Sequence, residues 1–131
     1  MTRTDAKETT YIRTLLVDDE TCFLTLTARL LEADSRFEIV GTARTGHEAL
    51  NQVERLHPDL VLMDLNMPGM DGLEAIRRLK EQPDAPRVVM LTMCDRPGCR
   101  AEAEAAGADG FVSKPELIAT ALPLIHILSE Q

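Results

Sequence analysis

Apolar positions in this chain fall into two alternating kinds of run. One is short, continuous and rich in β-formers; the other spreads its apolar residues at helical spacing. Tyr11–Val17 is of the first kind and breaks abruptly into Asp18-Asp19-Glu20, so it reads as a buried strand that ends in acid. Cys22, Phe23, Leu26, Leu30 and Ala33 then share one helical face, and Asp34-Ser35 closes that helix before a second strand, Phe37–Ala43. The alternation continues with a helix over Gly46–Leu56, a strand over Leu60–Met63, a helix over Leu73–Lys80 and a strand over Val88–Leu91. An Ala/Glu-rich helix over Arg100–Ala106, a short strand over Gly110–Val112 and an apolar-faced helix over Glu116–Leu128, interrupted by Pro123, complete the pattern.

Five doubly apolar strands alternating with five helices predict an α/β fold: a doubly wound parallel sheet, covered by helices on both faces through right-handed crossovers. The 131 residues fit one domain. No Pro/Gly/Ser linker, internal repeat or low-complexity tract divides them, and residues 1–10 are expected to form a flexible tail ahead of a folded domain over 11–131. No apolar run approaches the ~18 residues that span a bilayer, and Met1–Thr10 is too polar for the core of a secretory signal, which predicts a cytoplasmic protein with no membrane partner. Lys+Arg 14 against Asp+Glu 22 gives a net charge of −8, which repels a nucleic-acid backbone and argues against direct nucleic-acid binding. Cys22, Cys94 and Cys99 are odd in number and form no CxxC pair, so they are expected to be reduced thiols rather than a disulfide framework or a zinc site. His47, His57 and His126 have no ligand-like spacing, and Arg77, Arg78 and Lys80 read as a solvated helix face.

In an open parallel sheet, ligands bind outside the carboxyl ends of the strands. Asp18 and Asp19 follow the first strand, Asp64 closes the third, Thr92 the fourth, and Ser113-Lys114 the fifth. Each has an ordinary reading: a helix cap for the acids, a turn hydroxyl for Thr92, a solvated charge before Pro115 for Lys114. Their convergence on one edge from four parts of the chain favours a site over four coincidences. Carboxylates packed within ~4 Å repel by ~4 kcal/mol per pair at an effective dielectric near 20, so such a cluster calls for a compensating cation. Oxygen-only ligands suit Mg²⁺, with Mn²⁺ as the alternative, better than zinc.

The acidic pair in LLVDDE, the DLVLMDLNMPGMDG segment, the hydroxyl in VVMLT and the lysine-proline in GADGFVSKP resemble, in order and spacing, the receiver domain of two-component response regulators. The resemblance covers about Tyr11 to Leu128. It implies a flavodoxin-like (βα)5 fold with strand order 2-1-3-4-5. It also implies that Asp64 is the phosphoacceptor, that Asp18, Asp19, Asp64 and the backbone carbonyl of Asn66 hold Mg²⁺, and that Thr92 and Lys114 contact the phosphoryl group. Phe111 stands where the family has its switch aromatic, and Lys114-Pro115 where members have a cis bond. The implied partners are a sensor histidine kinase or histidine phosphotransfer protein, and downstream a protein target or a second copy meeting the face from the fourth to the fifth helix. On this reading the chain is a phosphoacceptor switch that catalyses only its own aspartyl phosphorylation and dephosphorylation.

Two positions depart from the family pattern. Met93 stands directly after the hydroxyl, where a small residue is usual, and is expected to narrow access; Pro123 is expected to kink the last helix. A phosphohydrolase of the haloacid-dehalogenase kind would place a second acid two residues after its nucleophile, where this chain has Asn66. A metal-independent, purely protein-binding relative would not need the whole acidic set.

Overall fold

The computed structural model describes residues 11–65, 72–93 and 97–116. Its elements run β1 (Ile12–Val17), α1 (Thr21–Glu32), β2 (Phe37–Ala43), α2 (Gly46–Leu56), β3 (Leu60–Asp64), α3 (Gly72–Lys80), β4 (Arg87–Thr92), α4 (Pro97–Ala106) and β5 (Gly110–Ser113). The five strands are all parallel, in the order β2-β1-β3-β4-β5. This is the doubly wound, flavodoxin-like arrangement, and its order reverses between β1 and β3, the switch point where such sheets open a ligand crevice.

Burial follows position in the sheet. Leu15, Val17, Val61, Met63, Val88 and Met90 on the inner strands are nearly or fully buried and pack with Ala49, Val53, Ala75, Ile76, Leu79 and Ala103 from α2, α3 and α4. Strands covered on both faces need no polar alternation, which is why they read as continuous apolar runs. The edge strands β2 and β5 are mostly half-buried. In β2 the pairing steps from Thr14↔Ile39 to Leu15↔Gly41, leaving Val40 unpaired in a bulge beside a glycine.

Helix boundaries have local causes. Thr45 caps α2, its side chain accepting from the Glu48 backbone N–H at 3.0 Å, while the Glu48 carboxylate accepts from the Arg44 N–H at 2.6 Å. The helix ends at His57, whose left-handed backbone (φ 50°) precedes Pro58. In α3, Glu74 pairs with Arg78 at 2.9 Å and Arg77 at 3.6 Å, so these two arginines form the expected solvated face, whereas Lys80 is half-buried and pairs with Asp109 at 2.8 Å.

Three local expectations are corrected. The face of α1 that is buried holds Phe23, Leu24 and Thr27, whereas Cys22 and Ala33 are exposed; a buried threonine hid the true stripe from a reading of apolar spacing. Helix α4 starts three residues early, at Pro97, because the amide hydrogen that proline lacks has no partner in a first helical turn. Cys22 is a free, exposed thiol, but Cys99 is disulfide-bonded, with its partner outside the described residues; an odd cysteine count does not exclude a single pair. The predicted helix over Glu116–Leu128, including Pro123, lies outside the described residues from residue 117 onward, and the expected tail, residues 1–10, lies wholly outside them.

Candidate functional site

The acids sit where the strands release them. Asp18 follows β1, and its backbone N–H donates to the Ala43 carbonyl at 3.0 Å, pinning the acidic turn to the end of β2. Asp18 Oδ1 accepts from the Glu20 N–H at 2.9 Å. Glu20 is the residue that caps α1, without a side-chain cap bond, so the helix-cap reading of the acid pair accounts for a local turn and nothing more. Asp64 is the last residue of β3 and lies beside Leu91 of β4. Asp18 and Asp64 are 2% and 5% exposed, and Asp19 is half-buried. One carboxylate oxygen from each of Asp18, Asp19 and Asp64 lies within 4.8 Å of the others.

Lys114, directly after β5, sends its ammonium into this cluster. Its Nζ is 2.6 Å from Asp18 Oδ2, 3.4 Å from Asp64 Oδ1 and 3.5 Å from Glu20 Oε1, and it sits 4.4 Å from the centre of the Phe23 ring. Burial alone would push the ammonium toward deprotonation, but the Asp18 contact and the charges of Asp64, Asp18 and Glu20 outweigh it and hold its pKa above the usual lysine range. Lys114 is therefore a permanent cation. The three clustered carboxylates against one ammonium leave a formal −3 + 1 = −2, and the exposed Glu20 carboxylate adds to that excess at the rim.

That imbalance, and the donor set, fit a hard divalent cation. The clustered ligands are all carboxylate oxygens, and apart from the Lys114 ion pair Asp18 Oδ2 has no hydrogen-bond partner among the described residues. Magnesium or manganese accepts such a set, with water completing the shell, whereas zinc selects nitrogen and sulfur.

Thr92, fully buried, ends β4 and pairs with Ser113 of β5; it lies one residue beyond the level of Asp64. Phe111 pairs with Met90, packs half-buried against the core, and carries the Arg100 guanidinium 5.3 Å from its ring centre. Asn66 lies outside the described residues. Met93 is 62% exposed, so its side chain stands in solvent at the rim of the site. Among the described residues no peptide bond is cis; the Lys114-Pro115 bond is trans, against the resemblance's expectation and in line with the ordinary preference of X-Pro bonds.

Residue-by-residue reading missed Glu20, Phe23 and Gly72. Glu20 and Phe23 were visible only as the residues after an acid pair and on a helix face, and their contacts with Lys114 come from opposite ends of the chain. A Cβ on Gly72 would stand 2.8 Å from the carbonyl oxygens of Asp64 and Leu65 and 2.9 Å from Leu65 Cα, so α3 can approach the end of β3 only with glycine there. A groove of about 1050 Å³ opens at the opposite end of the sheet, lined in part by His57, Asp59, Arg78 and Arg87. It contains none of the clustered acids; Arg78 is paired with Glu74 and Asp59 accepts from the Arg13 N–H, so this is a surface furrow rather than the site of chemistry.

The family model for the response regulator receiver domain matches residues 14–123. The chain belongs to that family. Curated relatives include a protein-glutamate methylesterase/protein-glutamine glutaminase of Nocardioides, 42% identical over 79% of this chain. Another is the response regulator GacA of Pseudomonas viridiflava, 37% identical over 89% of this chain. The receiver spans only 29% and 55% of those two proteins. Among solved structures, the receiver domain of NarL from Mycobacterium tuberculosis superposes with a TM-score of 0.78 at 28% identity, covering 89% of this chain and 98% of that one. The response regulator domain of Thermotoga maritima CheB gives 0.76 at 26% identity, covering 89% and 95%. Receiver domains serve two-component signalling, and the acidic edge of this one lies where the fold places its ligand crevice.

Proposed function

We propose that Asp64 accepts a phosphoryl group from a phosphohistidine donor in a Mg²⁺-dependent reaction, and that the resulting charge switches a protein-binding surface. The observation that carries this reading is the three-carboxylate cluster with the Lys114 ammonium 3.4 Å from Asp64. A carboxylate oxygen of Asp64 attacks phosphorus in line; the new O–P bond forms as the N–P bond to the donor imidazole breaks, and the imidazole leaves with its electron pair. Lys114 neutralises charge on the transferring oxygens from a position already fixed by Asp18 and Phe23. A divalent cation held by Asp18, Asp19, Asp64 and, by family resemblance, the Asn66 carbonyl would supply the remaining neutralisation when bound. Thr92 then hydrogen-bonds a phosphoryl oxygen, and Phe111 turns with it.

The acceptor is part of the chain, so the protein is its own substrate rather than an enzyme acting on others. The donor is a sensor histidine kinase or a histidine phosphotransfer protein, and the output is a protein target or a second copy on the face from α4 onward. No helix among the described residues is long and apolar enough to cross a membrane. Incubation with acetyl phosphate and Mg²⁺, followed by intact-mass measurement of wild type and Asp64→Ala, tests the reading. One phosphate adduct is expected on wild type and none on the variant; an adduct that survives Asp64→Ala, or none at all, overturns it.

A further inference from the structure

All three phenylalanines of this chain carry a cation over the ring, at Phe23, Phe37 and Phe111, where such contacts occur roughly once per 70–80 residues. Arg36 over Phe37 joins sequence neighbours, and Lys114 over Phe23 belongs to the acidic site. Arg100 over Phe111 is different. It bridges two elements, α4 and the edge strand β5, at 5.3 Å from guanidinium to ring centre.

The position of that bridge matters because of the sheet register. Met90 pairs with Phe111 and Thr92 with Ser113. Side chains on paired residues of adjacent strands share a face, and alternate residues of one strand do too. Thr92 and Phe111 therefore project on the same side of the sheet, from neighbouring strands, two positions apart. Arg100 is exposed and reaches Phe111 from α4, whose Cys99 and Ala103 are buried against the body of the domain. Among the described residues Arg100 makes no ion pair, and its guanidinium lies over the Phe111 ring.

We propose that Arg100 is a positioning residue for the switch: its guanidinium latches the Phe111 ring in the resting orientation. This rests on the phosphoacceptor reading above. Any rearrangement that turns Phe111 as Thr92 engages a phosphoryl oxygen must first separate ring from guanidinium. The latch thus biases the unphosphorylated domain toward its resting state. The switched conformer is the one competent to accept the phosphoryl group, so the phosphorylation rate scales with that conformer's population, which the latch lowers. An exposed cation–π contact is worth a two- to fivefold change in an equilibrium constant.

The test compares the full chain as wild type, Arg100→Ala, Arg100→Lys, Phe111→Leu and the double variant Arg100→Ala/Phe111→Leu. Two readouts are used: the NMR resonances of the Phe111 ring without phosphodonor, and the rate of Asp64 phosphorylation by acetyl phosphate with Mg²⁺. Arg100→Ala is expected to shift the ring resonances and raise the rate about two- to fivefold. Arg100→Lys, which keeps the charge but not the planar stack, should fall between. In the Phe111→Leu background Arg100→Ala should leave the rate unchanged. An Arg100→Ala effect of equal size with and without the ring would assign the residue to donor electrostatics and overturn the latch, as would unmoved ring resonances or an unchanged rate in the single variant. Absence of any Asp64 adduct on wild type would overturn the phosphoacceptor reading itself and the switch role with it, an outcome distinct from an adduct whose rate ignores Arg100.

Discussion

At the scale of single residues, Lys114 carries the largest electrostatic burden. It is 2% exposed and is in contact with two nearly buried carboxylates, those of Asp18 and Asp64. Removing one member of a buried ion pair leaves the other uncompensated and typically costs 3–5 kcal/mol. Lys114→Ala is therefore expected to lower unfolding free energy by about 3–5 kcal/mol in metal-free buffer, measured by urea denaturation. Saturating Mg²⁺ should restore part of the loss, since the cation compensates the same acids. A loss below about 1 kcal/mol would show that the cluster relaxes into solvent without its lysine.

At the scale of elements, two junctions decide how strands present the site. The first is α3 against β3. Gly72→Ala forces a methyl group against three backbone atoms at 2.8–2.9 Å, so the end of β3 and Asp64 must move. It is expected to cost about 1–3 kcal/mol and to weaken Mg²⁺ affinity, read by thermal unfolding and metal titration. Gly98→Ala is the control: nothing lies within 4 Å of a Cβ there, and within α4 the change should stabilise by about 0.5–1 kcal/mol. The second junction is Asp109, which accepts from the Val88 N–H and from Lys80 Nζ, both at 2.8 Å, and so ties β4 to α3 and to the entry of β5. Partial burial pushes its carboxyl up, but Lys80 and the Val88 N–H outweigh it, and the pKa is held below the usual range. A depressed folded pKa stabilises above the unfolded value near ~3.9 and stops doing so as pH falls through the folded value. Asp109→Asn should thus cost about 1 kcal/mol at neutral pH, discounted because the pair is open to solvent. The difference from wild type should close in the acid arm, which urea unfolding at pH 7 and below pH 3 would show.

At the scale of the whole molecule, the crevice carries three clustered carboxylates against one ammonium, with Glu20 at its rim, on a chain of net charge −8. A ligand that binds only the folded state stabilises it by about 2.7 kcal/mol at a hundredfold excess over its dissociation constant. Mg²⁺ is therefore expected to raise the melting temperature of wild type, and to raise it much less in Asp64→Asn, checked by calorimetry at constant ionic strength. An equal rise in both would mean general charge screening rather than a site.

The order and type of the described elements were legible because parallel strands buried on both faces are continuously apolar and the helices between them are periodic. Asp18, Asp19, Asp64, Thr92 and Lys114 were legible because each follows or ends a strand, and connectivity alone sends strand ends of such a sheet to one edge. Tertiary structure was needed wherever the deciding contact joins distant segments. The burial of Thr27, the approach of Gly72 to the Asp64 carbonyl, the seat of Lys114 between Asp18 and the Phe23 ring, and the hold of Arg100 on Phe111 all depend on distances across elements. The chain by itself determined which groups meet, through the period of its apolar residues. Only packing decided how closely they meet, because charge compensation, ring stacking and the room for a Cβ vary over fractions of an ångström that no spacing along a sequence encodes.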